Sequence, residues 1–173
     1  MNDEQFDPAD RLAVSYIDKS RQFYAAQGYQ VPYRWAVNEQ VHFQKLNKPL
    51  SACNVGLVTT ASLPNPDISL DFDPGILQIG STYQFPTIPT PPALYTMDRS
   101  WDKKATHTHD LGTFFPLDHL KTLAQEKVIK SISKNFYGAP TDYSQRKTNQ
   151  NVAPEILNYM QNDQVDVALL VPL

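Results

Sequence analysis

The feature that most constrains the fold is an apolar run near the end of the chain, residues 165–171 (VDVALLV). A short, nearly continuous apolar run is typical of a parallel strand whose two faces are both buried. A second run of this kind, residues 55–60 (VGLVTT), lies in the first half of the chain. Both runs therefore predict strands in the interior of one sheet.

Helix signals alternate with these runs. Helices are predicted over residues 8–27, 116–127 and 154–162, because each range opens at a proline in the first helical turn and carries apolar residues at helical spacing. Gly28 is the predicted end of the first helix, and a further strand is predicted over 128–133. The alternation indicates an α/β fold: an open, mostly parallel sheet flanked by helices, Rossmann-like and three-layered, and incomplete at the C-terminus.

The stretch 61–93 differs in composition, since seven of the 14 prolines of the chain lie in it. Proline removes a ladder donor and fixes φ, so we predict a surface excursion without regular structure there. Residues 94–97 are a candidate strand, and residues 136–151 are predicted to be a polar loop. The whole chain, 1–173, is interpreted as a single α/β domain.

Charge and hydropathy exclude several classes of partner. The formal net charge is -3 and the pI is about 5.7, so a nucleic acid backbone is not an expected partner. No apolar run approaches the roughly 18 residues that a membrane span requires. The acidic start, residues 1–11, lacks the basic and apolar parts of a secretory signal. A cytoplasmic protein is expected.

Candidate binding residues follow the predicted strands, because open α/β sheets bind ligands beyond the carboxyl ends of their strands. Thr59 and Thr60 end the first strand and offer hydroxyl and backbone N–H groups, with ordinary turn residues as the alternative. The remaining substrate-binding candidates lie after the third strand: Tyr137, Ser144, Gln145 and Arg146. Arg146 suits a carboxylate, which it can hold through two parallel hydrogen bonds; a solvated surface arginine is the alternative.

Cys53 is the only cysteine of the chain. It precedes the first strand and so belongs at the amino end of the sheet, opposite the end where ligands bind. We therefore expect an inert, buried side chain. Thr59, Thr60, Arg146 and Leu173 are expected together at the other end.

A short histidine motif is the only pattern that suggests a metal. His107 and His109 would point the same way on a strand, Asp110 follows them, and His119 is a third candidate ligand. The fuller pattern of binuclear hydrolases is missing. A structural or surface role is the preferred interpretation, and no metal is assigned.

Five segments, taken in order, resemble the selenoprotein B-type subunits of the glycine/sarcosine/betaine and D-proline reductase family. They are 29–35 (YQVPYRW), 48–60 (KPLS, then VGLVTT), 110–120 (DLGTFFPLDHL), 144–156 (SQR, then APEI) and 166–172 (DVALLVP). Their order and spacing carry the resemblance, because no single segment is a signature. The chain departs from the family in the proline-rich 61–93 stretch and in the short connection before Asp110.

The resemblance implies an oxidoreductase that cleaves a carbon–nitrogen bond in a small amino-acid-like substrate by means of a selenol or thiol nucleophile. In the family that nucleophile opens a C-P-x-C-H-Q motif, or its selenocysteine form, immediately after the position of Leu173. The chain as given therefore carries no catalytic residue and no cofactor, and selenocysteine is expected in the full-length form. The hypothesis is that an in-frame UGA follows Leu173. Other subunits of a reductase complex, or copies of the same chain, are the implied partners.

Two alternatives stay open. One is a non-catalytic, truncated paralogue or binding subunit that associates with other chains. The other is a metal-dependent hydrolase that uses His107, His109 and Asp110.

Overall fold

The structure, a computed structural model, describes residues 16–29, 39, 44–63, 82–95, 108–141 and 144–173. The chain divides into two compact units, Met1–His42 and Phe43–Leu173. In the first unit, helix α1 spans Tyr16–Ala26. This confirms the predicted helix over that part of its range; residues 8–15 lie outside the described residues. Gly28 adopts φ +87 and ends the helix as predicted.

The described part of the second unit contains five strands and three α-helices. The strands are β1 (Asn54–Thr59), β2 (Tyr83–Pro86), β3 (Ser131–Ile132), β4 (Asn135–Gly138) and β5 (Val167–Val171). The helices are α2 (Leu117–Gln125), α3 (Gln145–Lys147) and α4 (Ala153–Asn162), with a π-helical turn, Thr148–Val152, between the last two. Two 3-10 turns, Leu50–Ala52 and Leu111–Thr113, precede β1 and α2.

Strand β1 is the centre of the sheet. On one side it pairs in parallel with β5, from Val55 opposite Val167 to Thr59 opposite Val171. On its other side β3 and β4 follow each other, both parallel to β1. Strand β2 pairs antiparallel with β4 at the edge of the sheet. The predicted α/β fold with an open, mostly parallel sheet is thus confirmed.

Helices α2 and α4 cover opposite faces of β1, because side chains alternate between faces along a strand. Val55 and Leu57 pack with Leu117 and Leu120 of α2 in one core cluster. Val58, which points the other way, packs in a second cluster with residues of α4, Ile156 and Met160. The sheet and these two helices form three layers.

The apolar core lies mainly between the sheet and α2. Leu57, Leu117 and Phe136 are completely buried there. Burial of each such side chain stabilises the fold by roughly 1.5–3 kcal/mol. This core holds β1 and β4 in place and so fixes the positions of their carboxyl ends.

The strand predicted over 128–133 is shorter and starts later. Lys127 adopts φ +62 and turns the chain after α2, and Val128 is exposed. Pairing with β1 begins only at Ser131. The N–H of Ser133 still donates to the carbonyl oxygen of Val55 at 2.8 Å. The chain then leaves β1 and pairs with it again as β4. The predicted polar loop over 136–151 is wrong, because 136–138 belong to β4 and 145–152 are helical.

The expectation that residues 61–93 lack regular structure is wrong at β2. Tyr83 to Pro86 alternate between the two faces of the sheet and pair with all four residues of β4. Pro86 is tolerated because β2 is an edge strand, where a missing N–H leaves no interior ladder bond unmade. Residues 64–81 of this stretch lie outside the described residues. The candidate strand over 94–97 is wrong in its described part, since Tyr95 makes only an isolated antiparallel bridge to Ser62.

Candidate functional site

The carboxyl ends of three parallel strands meet at one edge of the sheet. Thr59, the last residue of β1, lies opposite Gly138 of β4 on one side and Val171 of β5 on the other. We call this the carboxyl edge. It is the position at which open α/β sheets place their ligands.

Thr60 and Leu173 are joined at the carboxyl edge by one hydroxyl group. The backbone N–H of Leu173 donates to Thr60 Oγ1 at 2.8 Å, and the same hydroxyl donates to the carbonyl oxygen of Leu173 at 3.1 Å. The leucine also packs against the core on the α2 face. The predicted proximity of Thr60 and Leu173 is confirmed.

Thr59 shapes the turn that leaves β1. It is 1% exposed, and its Oγ1 accepts a hydrogen bond from the N–H of Ala61 at 3.0 Å. Its carbonyl oxygen accepts from the N–H of Ala139 at 2.8 Å, which extends the ladder to β4. The hydroxyl and the carbonyl oxygen of Thr59 therefore both accept hydrogen bonds from the backbone. A role in substrate binding stays a prediction.

Tyr83 of β2 reaches across β4 to the same edge. Its hydroxyl donates to the carbonyl oxygen of Ala61 at 2.5 Å. The ring lies over Gly138, where a Cβ atom would overlap it. Burial raises the pKa of Tyr83 above its usual value, so the hydroxyl keeps its proton and acts as a donor. The absence of a side chain at Gly138 is what lets the tyrosine reach Ala61.

Cys53 lies at the opposite, amino edge of the sheet. It is completely buried immediately before β1, and its carbonyl oxygen accepts from the N–H of Lys130 at 3.0 Å. The position is as predicted. A six-residue strand, roughly 20 Å long, separates it from Thr60.

Tyr137 points to the amino edge and not to the carboxyl edge. Its hydroxyl bonds to Ser133 Oγ and to Asp163 Oδ2, each at 2.9 Å. Burial, together with the interaction with Asp163, raises the pKa of Tyr137 to about 12. These bonds give the side chain a structural function, and its predicted substrate role is untested.

The other three candidates belong to the connection after β4. Ser144 caps α3, since its side chain accepts a hydrogen bond from the N–H of Lys147. Gln145 and Arg146 form the first two residues of that helix and are exposed. The substrate roles of the three residues stay predictions.

The histidine motif is only partly described, because His107 lies outside the described residues. Asp110 uses its side chain to accept from the N–H of Gly112 and so caps a 3-10 turn. His109 and His119 are exposed. In the described part of the chain no group of three or more His, Cys, Asp or Glu side chains is placed to hold a metal ion.

The sequence patterns do not indicate a role for Asp163 or Tyr83. Asp163 lies in the turn between α4 and β5, where an acidic residue is commonplace and gives no signal of burial. Tyr83 lies in the proline-rich stretch. The one available signal for it was the alternation of aromatic residues in 83–86, which is typical of a strand.

Comparisons of the chain with protein-family models, with curated proteins and with solved structures found no significant match. Among the described helices, none is both long and apolar enough to cross a membrane.

Proposed function

We propose that the chain is the N-terminal part of a reductase subunit that resembles the selenoprotein B family. In this proposal a selenol or thiol immediately after Leu173 attacks a small amino-acid-like substrate, and a carbon–nitrogen bond is cleaved reductively. Other subunits of the complex supply the reducing equivalents that this cleavage consumes.

The observation that supports the proposal most is the contact between Thr60 and Leu173. Because of this contact, a residue that follows Leu173 would begin at the carboxyl edge, beside the ends of β1 and β4. A thiolate or selenolate needs hydrogen-bond donors around it to lower its pKa, and strand ends that lead into helices offer such donors. The resemblance of the flanking segments supports the same position.

The experiment is a substrate screen with the gene product that includes the residues after Leu173. Glycine, sarcosine, betaine and D-proline are supplied one at a time with a dithiol, and the amine or ring-opened amino acid is measured by mass spectrometry. One of the four is expected to be consumed, with loss of activity after alkylation. The 1–173 chain is the control and is expected to be inactive. No turnover of any of the four by the folded, reduced protein would contradict the proposal.

A binding subunit is the second candidate, and the surface of β5 favours it. Leu170 is 70% exposed and Leu169 is 38% exposed. The two side chains point to opposite faces of the sheet, so β5 exposes apolar surface on both faces. Apolar surface of this kind is typical of contacts with another chain. Light scattering over a range of protein concentrations tests self-association. A monomer at every concentration would argue against association between copies of this chain.

A further inference from the structure

The chain loses its regular backbone pairing just where it leaves the sheet. The ladder between β1 and β5 ends at Thr59 opposite Val171. The next residue along, Pro172, has no N–H group and cannot donate to a neighbouring strand. Backbone pairing alone would therefore leave the exit from β5 unrestrained.

The hydroxyl of Thr60 replaces the missing ladder bonds. It accepts from the N–H of Leu173 at 2.8 Å and donates to the carbonyl oxygen of the same residue at 3.1 Å. Holding both backbone groups of one residue fixes its position and also the direction in which the chain runs. The side chain of Leu173 is anchored at the same time against the core on the α2 face.

This arrangement also changes the role that Thr60 can have. A threonine hydroxyl has a single proton, and here that proton is donated to Leu173. The side chain of Thr60 therefore has no donor left for a substrate.

We propose that Thr60 is a positioning residue, whose hydroxyl clamps the backbone of Leu173 and so sets where the segment that follows it enters the carboxyl edge. The functional meaning rests on the proposed reductase activity, because that activity places the nucleophile in this segment. Catalytic groups must be held to within about 0.5 Å of their productive positions, and a misplacement of about 1 Å can lower a rate by about a hundredfold.

Amide hydrogen exchange at Leu173, measured by NMR on the 1–173 chain, tests the clamp directly. The variants are Thr60→Val, which removes the hydroxyl at almost constant shape, and Thr60→Ser, which keeps it. Thr122→Val is the matched control, because the Thr122 hydroxyl donates within α2, to the carbonyl oxygen of Asp118. The residues around Leu173 are the same in all variants, so its intrinsic exchange rate does not change.

Exchange at Leu173 is expected to be about tenfold faster in Thr60→Val than in the wild-type protein. Thr60→Ser is expected to restore the protection, and Thr122→Val to leave it unchanged. The buried amide of Leu57 reports global unfolding in each variant. Equal exchange in Thr60→Val and wild type would overturn the proposal. So would an unprotected Leu173 amide in the wild-type protein, a result that needs no variant to fold.

The clamp and the reductase activity are tested by different measurements, so either hypothesis can be rejected without the other. If Thr60 protects Leu173 but the gene product that includes the following residues has no turnover, the proposed function is wrong and the clamp stands. If that protein is active, Thr60→Val is expected to lower kcat with little change in KM, and Thr60→Ser to restore it. An unchanged kcat in Thr60→Val would reject the positioning role alone.

Discussion

Asp163 is a carboxylate at the amino edge of the sheet, and its neighbours determine its charge. Its side chain is 4% exposed. Burial raises its pKa, but hydrogen bonds from Asn135, Tyr137 and Lys134 outweigh burial and hold the pKa below its usual value. Asn135 Nδ2 lies 2.8 Å and Lys134 Nζ 3.2 Å from the carboxylate. The ionised form therefore links the turn before β5 to the start of β4.

Asp163→Asn is expected to lower the free energy of unfolding at pH 7 by about 1–3 kcal/mol. The folded-state pKa is depressed, so this stabilisation is present above the unfolded pKa of about 3.9 and is lost as the pH falls through the folded pKa. Urea unfolding from pH 7 to pH 2.5 should show the two curves converging below about pH 4. Glu126→Gln is the control, since Glu126 is exposed. A constant difference between Asp163→Asn and wild type at every pH would contradict the role of the charge.

The identity of Gly138 is determined by a neighbouring side chain, the ring of Tyr83. A Cβ atom there would overlap the ring of Tyr83, so Gly138→Ala is expected to cost about 1–3 kcal/mol of stability. In a Tyr83→Ala background the same change should cost much less, because the ring is gone. Gly112→Ala is the control, since a Cβ atom there would meet its nearest neighbour, Asp110 Oδ1, at 3.2 Å in an exposed turn. Equal costs with and without the tyrosine ring would contradict the overlap as the cause.

Residue positions could be predicted where they follow from strand direction alone. The burial of Cys53 at one edge and the proximity of Thr60 to Leu173 at the other both follow from two parallel strands in register. The orientation of Tyr137 could not be predicted in this way. Its hydroxyl is directed by Ser133 and Asp163, and Asp163 is 26 residues distant in sequence.

Among the described residues, strand β5 pairs with β1 alone, and its middle residues, Ala168 to Leu170, are exposed. The prediction of an interior strand with both faces buried is therefore wrong for β5 in the described part of the chain. An exposed apolar edge strand is a template for association with another chain. The same composition that identifies β5 as a strand therefore also makes its surface prone to aggregation.

Leu170→Thr tests this property of β5. Leu170 lies opposite Val58 in the ladder and is 70% exposed, whereas Val58 is 6% exposed. Leu170→Thr is expected to raise the solubility of the 1–173 chain with a change in unfolding free energy within about 0.5 kcal/mol.

The matched variant is Val58→Thr. It buries a hydroxyl at almost constant volume and should cost about 1–3 kcal/mol. Static light scattering and chemical unfolding measure the two effects. A Leu170→Thr protein that aggregates as strongly as wild type would show that β5 is not the surface responsible.

Elements were predictable in proportion to their length and apolar content. Strands β1 and β5 and helices α2 and α4 were found because each has several apolar residues at one periodicity. Strands β2, β3 and β4 have four, two and four residues, too few for a period to show. Their pairing is imposed by β1 and by the core around Phe136, which is a tertiary effect that no local pattern contains.

For the whole molecule, the layers place the ends of β1, β4 and β5 at one edge, and this defines where chemistry is expected. The layers alone do not define the reaction, because open α/β sheets serve many unrelated reactions. The proposed reductase function depends on the resemblance of the five segments and on the residue that would follow Leu173. The two structural findings that bear on it are the clamp at Thr60 and the exposed surface of β5.

The nucleotide sequence of the transcript after codon 173 tests the proposed nucleophile most directly. The prediction is a cysteine codon or a UGA at that position, followed in frame by a Pro-x-Cys-His-Gln motif or one similar to it. A UAA or UAG codon there, or an in-frame continuation without cysteine or selenocysteine, would contradict the placement of the nucleophile after Leu173.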